Sequence, residues 1–250
     1  MALISCTFNS SVLQKSVQFN AIIPSGKESK ARVLYLLHGL SDDYTAWGRY
    51  TAIERYANES GLVVIMPDGG KSFYTDMAAG DAYYTFFIHE LYPYIQSLFK
   101  VSTKREDTFI AGLSMGGYGA LRMALLHPEK FSAAGSLSGC VDVCHRLAHD
   151  PRWKQAKASV FGAERNPEGT ELDLFHLIKT YRSPLPLRIY LGCGTEDFLY
   201  QDNLKLEKEL SLSSIPYQFS ASAGIHDWKY WDAEVQKTIR FLLNPAIRLE

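Results

Sequence analysis

Thr108-Phe109-Ile110-Ala111-Gly112-Leu113-Ser114-Met115-Gly116-Gly117-Tyr118-Gly119 is the stretch on which the rest of the chain turns. Its first residues, Thr108-Phe109-Ile110-Ala111, have the apolar content of a short buried strand, and Gly119-Ala120-Leu121-Arg122-Met123-Ala124-Leu125-Leu126 reads as a helix. Between them stands Gly-x-Ser-x-Gly. Strand, tight turn and helix form the setting in which a serine is forced into a strained backbone conformation and projects from the end of a sheet. Glycines flank such a serine because a β-carbon there would collide with the neighbouring strand and helix. The same string also describes a glycine-rich turn with a capping serine, so the remaining residues must decide.

A nucleophile at Ser114 requires, in this strand–turn–helix arrangement, an acid and then a histidine later in the chain. Leu187-Arg188-Ile189-Tyr190-Leu191-Gly192-Cys193-Gly194 has the content of a central strand and runs into Thr195-Glu196-Asp197. Asp197 is the candidate acid, which would accept the imidazole N–H, fix the tautomer and stabilise the imidazolium. Glu196 is its neighbouring rival, or else a solvated loop residue. Only one histidine, His226, lies beyond that strand end. It sits in Ser222-Ala223-Gly224-Ile225-His226-Asp227-Trp228, between a candidate last strand (Tyr217–Ser220) and a candidate last helix (Trp228–Leu243). From such a loop an imidazole can reach back over the sheet; otherwise it caps the helix.

An acyl-transfer site also needs two backbone N–H groups aimed where negative charge develops on the carbonyl oxygen. Met115, the residue after the nucleophile, supplies one candidate. The strand Arg32–Leu37 ends in His38-Gly39-Leu40-Ser41, which makes the Leu40 amide the second. His38 precedes the nucleophile and reads as a structural residue that orients this loop.

Two opening strands, near Ile4–Asn9 and Val12–Ile23, precede an alternation of helices (Trp47–Glu59, Tyr83–Phe99) and strands (Leu62–Met66, Phe131–Ser138). Alternation of this kind predicts a mostly parallel central sheet with helices on both faces, built as one α/β domain over residues 1–250. The segment Val141–Pro186 is far longer than an ordinary connection. It is expected to form a helical cap insertion over the carboxyl ends of the strands. Trp153, Phe161, Leu174, Phe175 and Leu177 then either line an acyl or alcohol pocket or form the cap's own core; Tyr118, Trp228, Tyr230 and Trp231 pose the same choice.

The 250 residues are 46% hydrophobic with a formal charge of −1, the profile of an ordinary globular enzyme with no basic excess for nucleic acid. No apolar run is long enough to cross a bilayer, and the amino terminus shows no signal-peptide pattern. Four cysteines without a dense framework suit reduced thiols in a cytoplasm. Cys140 and Cys144 could share a helix face, but they lack ligand-spaced partners. Neither a metal nor an organic cofactor is expected, the expected partner is a small-molecule ester, and a homo-oligomer is allowed. The terminal Leu249-Glu250 reads as a cloning remnant.

His38-Gly39-Leu40, Gly112-Leu113-Ser114-Met115-Gly116-Gly117-Tyr118-Gly119, Gly194-Thr195-Glu196-Asp197-Phe198 and His226-Asp227-Trp228-Lys229-Tyr230-Trp231 together resemble the esterase D family of α/β-hydrolases. The likeness is greatest to bacterial tributyrin esterases, and it extends to Ser72-Phe73-Tyr74-Thr75-Asp76 and Lys104-Arg105-Glu106-Asp107. It implies an α/β-hydrolase fold and serine carboxylesterase or thioesterase chemistry, with Ser114, Asp197 and His226 at the matching positions. Formylglutathione hydrolases of that family typically continue with Thr-Cys after His-Gly-Leu, whereas this chain has Ser41-Asp42, which weighs against a glutathione thioester. The expectation is hydrolysis of short-chain esters, acetyl to butyryl, through an acyl-enzyme. Acyl transfer, as in the mycolyltransferases, is the main alternative; a non-catalytic binding module is a weaker one.

Overall fold

The computed structural model describes residues 1–26 and 30–244; the terminal Leu249-Glu250 lies outside them. Eight strands form a single sheet in the order β1-β2-β4-β3-β5-β6-β7-β8. They are β1 (Ala2–Ser10), β2 (Lys15–Ile23), β3 (Val33–Leu37), β4 (Val63–Pro67), β5 (Thr108–Leu113), β6 (Ala133–Leu137), β7 (Arg188–Gly194) and β8 (Tyr217–Ser222). β1 and β2 pair antiparallel, as do β2 and β4; the other pairings are parallel. This is the α/β-hydrolase fold.

Central strands such as Val-Leu-Tyr-Leu-Leu in β3 and Thr-Phe-Ile-Ala-Gly-Leu in β5 are buried at every residue. Continuous apolar runs of this kind are what a parallel sheet covered on both faces requires. One face is covered by α3 (Tyr83–Thr85), α4 (Tyr92–Leu98), α5 (Met115–Leu126), α6 (Val143–His149), α7 (Lys154–Ala156), α8 (Leu174–Thr180) and α9 (Tyr200–Ser211). The other is covered by α1 (Ala46–Tyr50), α2 (Ile53–Ser60) and α10 (Trp228–Leu243). Because the strands from β3 to β8 are parallel, their carboxyl ends open at one edge, where the loops 38–42, 138–140, 195–198 and 223–227 gather around Ser114.

Several boundaries differ from the sequence reading. The second strand starts at Lys15 instead of Val12, because residues 11–14 form a turn in which the Ser11 N–H donates to Glu90 (2.7 Å) and Gln14 takes a positive φ of 52°. The helix expected over Trp47–Glu59 is split: Thr51 is extended, its hydroxyl donates to the Trp47 carbonyl, and the Ala52 N–H donates to Asp232 of α10 at 2.9 Å. The helix expected over Tyr83–Phe99 is continuous but widens to a π-helical turn over Phe86–Leu91. Pro93 follows that turn; it has no N–H to donate and would crowd a regular helix interior, which the wider winding relieves.

Candidate active site

Ser114 joins β5 to α5 with φ 51° and ψ −115°, a conformation that L-residues rarely adopt and that costs on the order of 1–3 kcal/mol. Its surroundings hold it there. The Ser114 N–H donates to the Leu137 carbonyl at 2.9 Å, and the Ser114 carbonyl accepts from Cys140 at 3.0 Å and Tyr118 at 3.2 Å. A β-carbon on Gly112 would lie 2.5 Å from the Gly116 backbone, and one on Gly116 would lie 2.6 Å from the Leu37 carbonyl oxygen and 2.7 Å from that of His38. These contacts are backbone on backbone and cannot relax by a side-chain rotation, which is why the turn is written in glycine.

Two side chains from distant loops complete the site. His226 Nε2 lies 3.1 Å from Ser114 Oγ, and Nδ1 lies 2.8 Å from Asp197 Oδ2. A carboxylate can only accept, so Nδ1 carries the proton and the Nε2 lone pair faces the serine. Asp197 is fully buried and His226 is 19% exposed. Burial works to raise the Asp197 pKa, but hydrogen bonding and charge from His226 and the Leu199 N–H outweigh it and hold the carboxyl below its ordinary value. The Leu199 N–H donates to Oδ1 at 2.8 Å, leaving Oδ2 to the imidazole.

The imidazole is packed between Phe198 and Trp231, with ring centroids 4.7 Å and 4.9 Å away. Next in the chain, Asp227 accepts from the Tyr230 N–H at 2.9 Å and so caps α10 where the histidine loop enters it. Glu196 is not merely solvated: its carboxylate accepts the Gly224 N–H at 2.6 Å, tying the acid loop to the histidine loop.

Across the site, the Leu40 N–H takes no part in the hydrogen bonds that hold its loop, and the Met115 N–H, at the first position of α5, has no intrahelical acceptor. His38 is buried beneath this turn. Its Nε2 accepts the Gly69 N–H at 2.9 Å, so the proton is on Nδ1 and is donated to the Gly39 carbonyl at 2.7 Å. Tyr74 carried no role in the sequence reading beyond its place in the Ser72–Asp76 stretch, yet its hydroxyl accepts the His38 N–H at 3.0 Å and donates to the His38 carbonyl at 3.3 Å. Its ring occupies space that β-carbons on Gly69 and Gly119 would fill, and both Phe73 and Tyr74 take positive φ of 54°. Its sequence signals were its place in the Ser72–Asp76 stretch of the family resemblance and the two distant glycines.

Ser114 and His226 open into a cavity of about 430 Å³ lined by the turn 39–42, by Leu113 and Phe198, and by Asp227, Trp228 and Trp231. None of this lining comes from 141–186. Of the two roles open to Trp153, Phe161, Leu174, Phe175 and Leu177, the packing favours core over pocket lining: Phe161 and Leu174 are buried in the core, and the other three pack against it. Phe161 and Trp153 meet Phe73 at 5.3 Å and 5.2 Å, and the carbonyls of Glu171 and Leu172 are held by Arg122 (2.8 Å) and the Tyr118 hydroxyl (2.7 Å). The segment packs Trp153 and Phe161 against Phe73, and meets the cavity wall from behind Phe198, whose carbonyl accepts from Arg146 at 2.9 Å. Of the other aromatics weighed from sequence, Trp228 and Trp231 line the cavity, while Tyr118 and Tyr230 are core.

Among the described residues, no three His, Cys, Asp or Glu side chains converge as metal ligands would, and no helix is long and apolar enough to cross a membrane. Cys140 and Cys144 are unpaired; burial raises both thiols, Cys144 to about 12, so neither is an activated thiolate.

A family model described as "Putative esterase" matches residues 10–242. An acetyl esterase of Caldicellulosiruptor saccharolyticus is 32% identical, over 97% of this chain and 98% of its own. The fluorophosphonate-binding serine hydrolase F of Staphylococcus aureus, solved with substrate bound, superposes with a TM-score of 0.89 at 38% identity, covering 97% of this chain and 98% of that one. The S-formylglutathione hydrolase FrmB of the same organism superposes with a TM-score of 0.87 at 37% identity, covering 97% and 99%.

Proposed function

The chain belongs to the esterase D-like family of α/β-hydrolases and is a serine esterase; on that premise we propose that it hydrolyses short-chain acyl esters, acetyl to butyryl, with Ser114, His226 and Asp197 as its triad. The observation that carries this reading is the unbroken hydrogen-bonded line from Asp197 through His226 to a serine held at positive φ.

In this mechanism His226 Nε2 takes the Ser114 proton as Oγ bonds to the ester carbonyl carbon, and the carbonyl π electrons move onto oxygen. The Leu40 and Met115 N–H groups donate to that oxyanion. Asp197 holds the imidazole in the working tautomer and balances the charge of the imidazolium. When the carbonyl re-forms, the bond to the alcohol oxygen breaks and His226 returns the proton to it. Water then enters with His226 as its base, and cleavage of the Oγ–carbon bond releases the acid and restores Ser114.

Short acyl groups fit a cavity of about 430 Å³ walled by Phe198, Trp228 and Trp231, and the acetyl esterase relative points the same way. Each added methylene gains at most about 0.8 kcal/mol while there is room for it and costs overpacking once there is none. The reading locates the reaction in the cytoplasm, in keeping with four free cysteines. A p-nitrophenyl ester series should peak at acetyl to butyryl and decline by octanoyl, with one fluorophosphonate label per chain on Ser114. A kcat/KM that climbs steadily through a twelve-carbon acyl chain overturns the short-chain reading.

Hydrolysis of a thioester is the second reading, favoured by the likeness to the S-formylglutathione hydrolase. It uses the same groups and differs only in the leaving atom, so oxygen and sulfur esters of one acyl group, compared at equal acyl length, separate the two.

A further inference from the structure

The cavity around Ser114 contains a carboxylate that the reaction above does not use. Asp42 lies just past the Leu40 turn and lines the same space as Ser114, His226, Trp228 and Trp231. The point where a Gly39 β-carbon would sit is 2.9 Å from Asp42 Oδ2 and 3.8 Å from Ser114 Cβ, so the carboxylate stands beside the nucleophile's turn. Asp42 is half-buried, and the ionisable side chains that act on it most strongly are His38, Asp43 and His226.

The cavity lining as a whole contains no lysine or arginine. Its other acid, Asp227, is occupied as the cap of α10. Three arginines stand against aromatic rings of the wall and its surroundings. Arg146 and Arg152 lie 5.8 Å and 5.5 Å from the Phe198 centroid and are paired with Asp202 and Asp150, while Arg49 lies 5.3 Å from that of Tyr50, which stacks on Trp228. A substrate carboxylate entering here meets a like charge in partly desolvated surroundings and finds no cation to pair with. Like charges in such a setting repel far more strongly than in water, because the medium screens them less. A substrate cation meets the Asp42 carboxylate in a cavity walled in part by Trp228 and Trp231, surroundings that attract it.

We propose that Asp42 is a specificity-determining residue that makes this site accept neutral and cationic esters and reject esters bearing a carboxylate on either the acyl or the alcohol side. The proposal rests on the esterase reading of the same site and names the class of substrate that reading leaves open.

The test compares kcat/KM for charged and uncharged partners of similar shape: 4-acetoxybenzoate against 4-acetoxybenzamide for the alcohol side, monoethyl adipate against ethyl adipamate for the acyl side, and acetylcholine against 3,3-dimethylbutyl acetate for the cation. Intrinsic reactivity differs within each pair, so the quantity read is how the ratio changes between proteins. Replacing Asp42→Asn should shift at least one neutral-to-anionic ratio toward the anion by about tenfold or more and lower the cationic preference. Asp42→Glu should keep the wild-type ratios. Asp43→Asn, which removes the same charge one residue farther on, should also keep them. Added salt should compress the wild-type ratios and leave those of Asp42→Asn nearly unmoved. Ratios that are the same in wild type and Asp42→Asn for every pair overturn the proposal, as does an equal shift in Asp43→Asn. If no neutral ester is hydrolysed in a Ser114-dependent way, the esterase reading itself fails; turnover of neutral esters without charge preference removes only the role of Asp42.

Discussion

The turn between β5 and α5 and the segment 141–186 are both departures from regular structure, and they are held in opposite ways. The turn is short, and its neighbours are backbone atoms: the carbonyls of Leu37 and His38 stand against Gly116, and the Gly116 backbone stands against Gly112. The segment is long, carries several short helices, and is pinned by side chains such as Arg122, Tyr118 and Phe73. Backbone contacts leave no slack, so the turn can hold a strained serine within 3.1 Å of a histidine from 112 residues away. Side-chain contacts can be traded one for another, so the segment contributes to stability while the Ser114–His226 pair sits elsewhere. The difference teaches where chemistry and stability should separate under mutation.

The largest separation is expected at Ser114. Ser114→Ala should remove at least about 4 kcal/mol of transition-state stabilisation while the oxyanion donors remain. Its melting temperature should stay near wild type, since alanine meets the same φ restriction as serine. Wild-type turnover of an activated ester by the purified variant would dissolve the contrast altogether.

Phe161→Ala should do the reverse. Emptying a fully buried aromatic in the insertion should cost about 3 kcal/mol of stability in urea denaturation. At temperatures where the variant is folded, kcat/KM on a butyryl ester should stay within about threefold of wild type, a loss below ~0.7 kcal/mol. A selective gain on octanoyl esters would show that the insertion borders the acyl pocket after all.

Tyr74 tests a position between the two. Tyr74→Phe keeps the ring that fills the space beside Gly69 and Gly119 but strands the His38 N–H, a buried group whose lost partner costs about 1–3 kcal/mol. Because that backbone leads directly into the Leu40 turn, kcat should fall about tenfold with KM little changed. A fall in stability alone, with kcat intact, would class Tyr74 with the insertion.

The smallest expected effect is a pH dependence. The Asp197 carboxyl is held below its ordinary value of 3.8 in the folded protein, so its ionised form contributes stability at neutral pH. That contribution is fully present above the ordinary value and is lost as pH falls through the lowered one. The difference in urea midpoint between wild type and Asp197→Asn should therefore be greatest near pH 7 and shrink below about pH 4. A difference that widens on acidification has the opposite sign and would contradict the pairing described for Asp197.

What sequence alone determined is what neighbouring residues enforce on one another. The continuous apolar runs of β3, β5 and β7 announce strands buried on both faces, and Gly112 and Gly116 announce a turn where no β-carbon fits, because both are statements about a few consecutive residues. The order of Ser114, Asp197 and His226 along the chain was legible for the same reason, each standing at the end of a recognisable strand. Tertiary structure decided the rest. The split at Thr51 follows from an aspartate in α10, the support under His38 from Tyr74, and the tie between Glu196 and Gly224 from the meeting of two loops. Aromatic residues such as Trp153, Phe161 and Trp231 look alike in sequence because burying a ring is favourable against any apolar surface. Which of them faces a core and which faces a cavity depends on partners far along the chain, and only the folded arrangement supplies those.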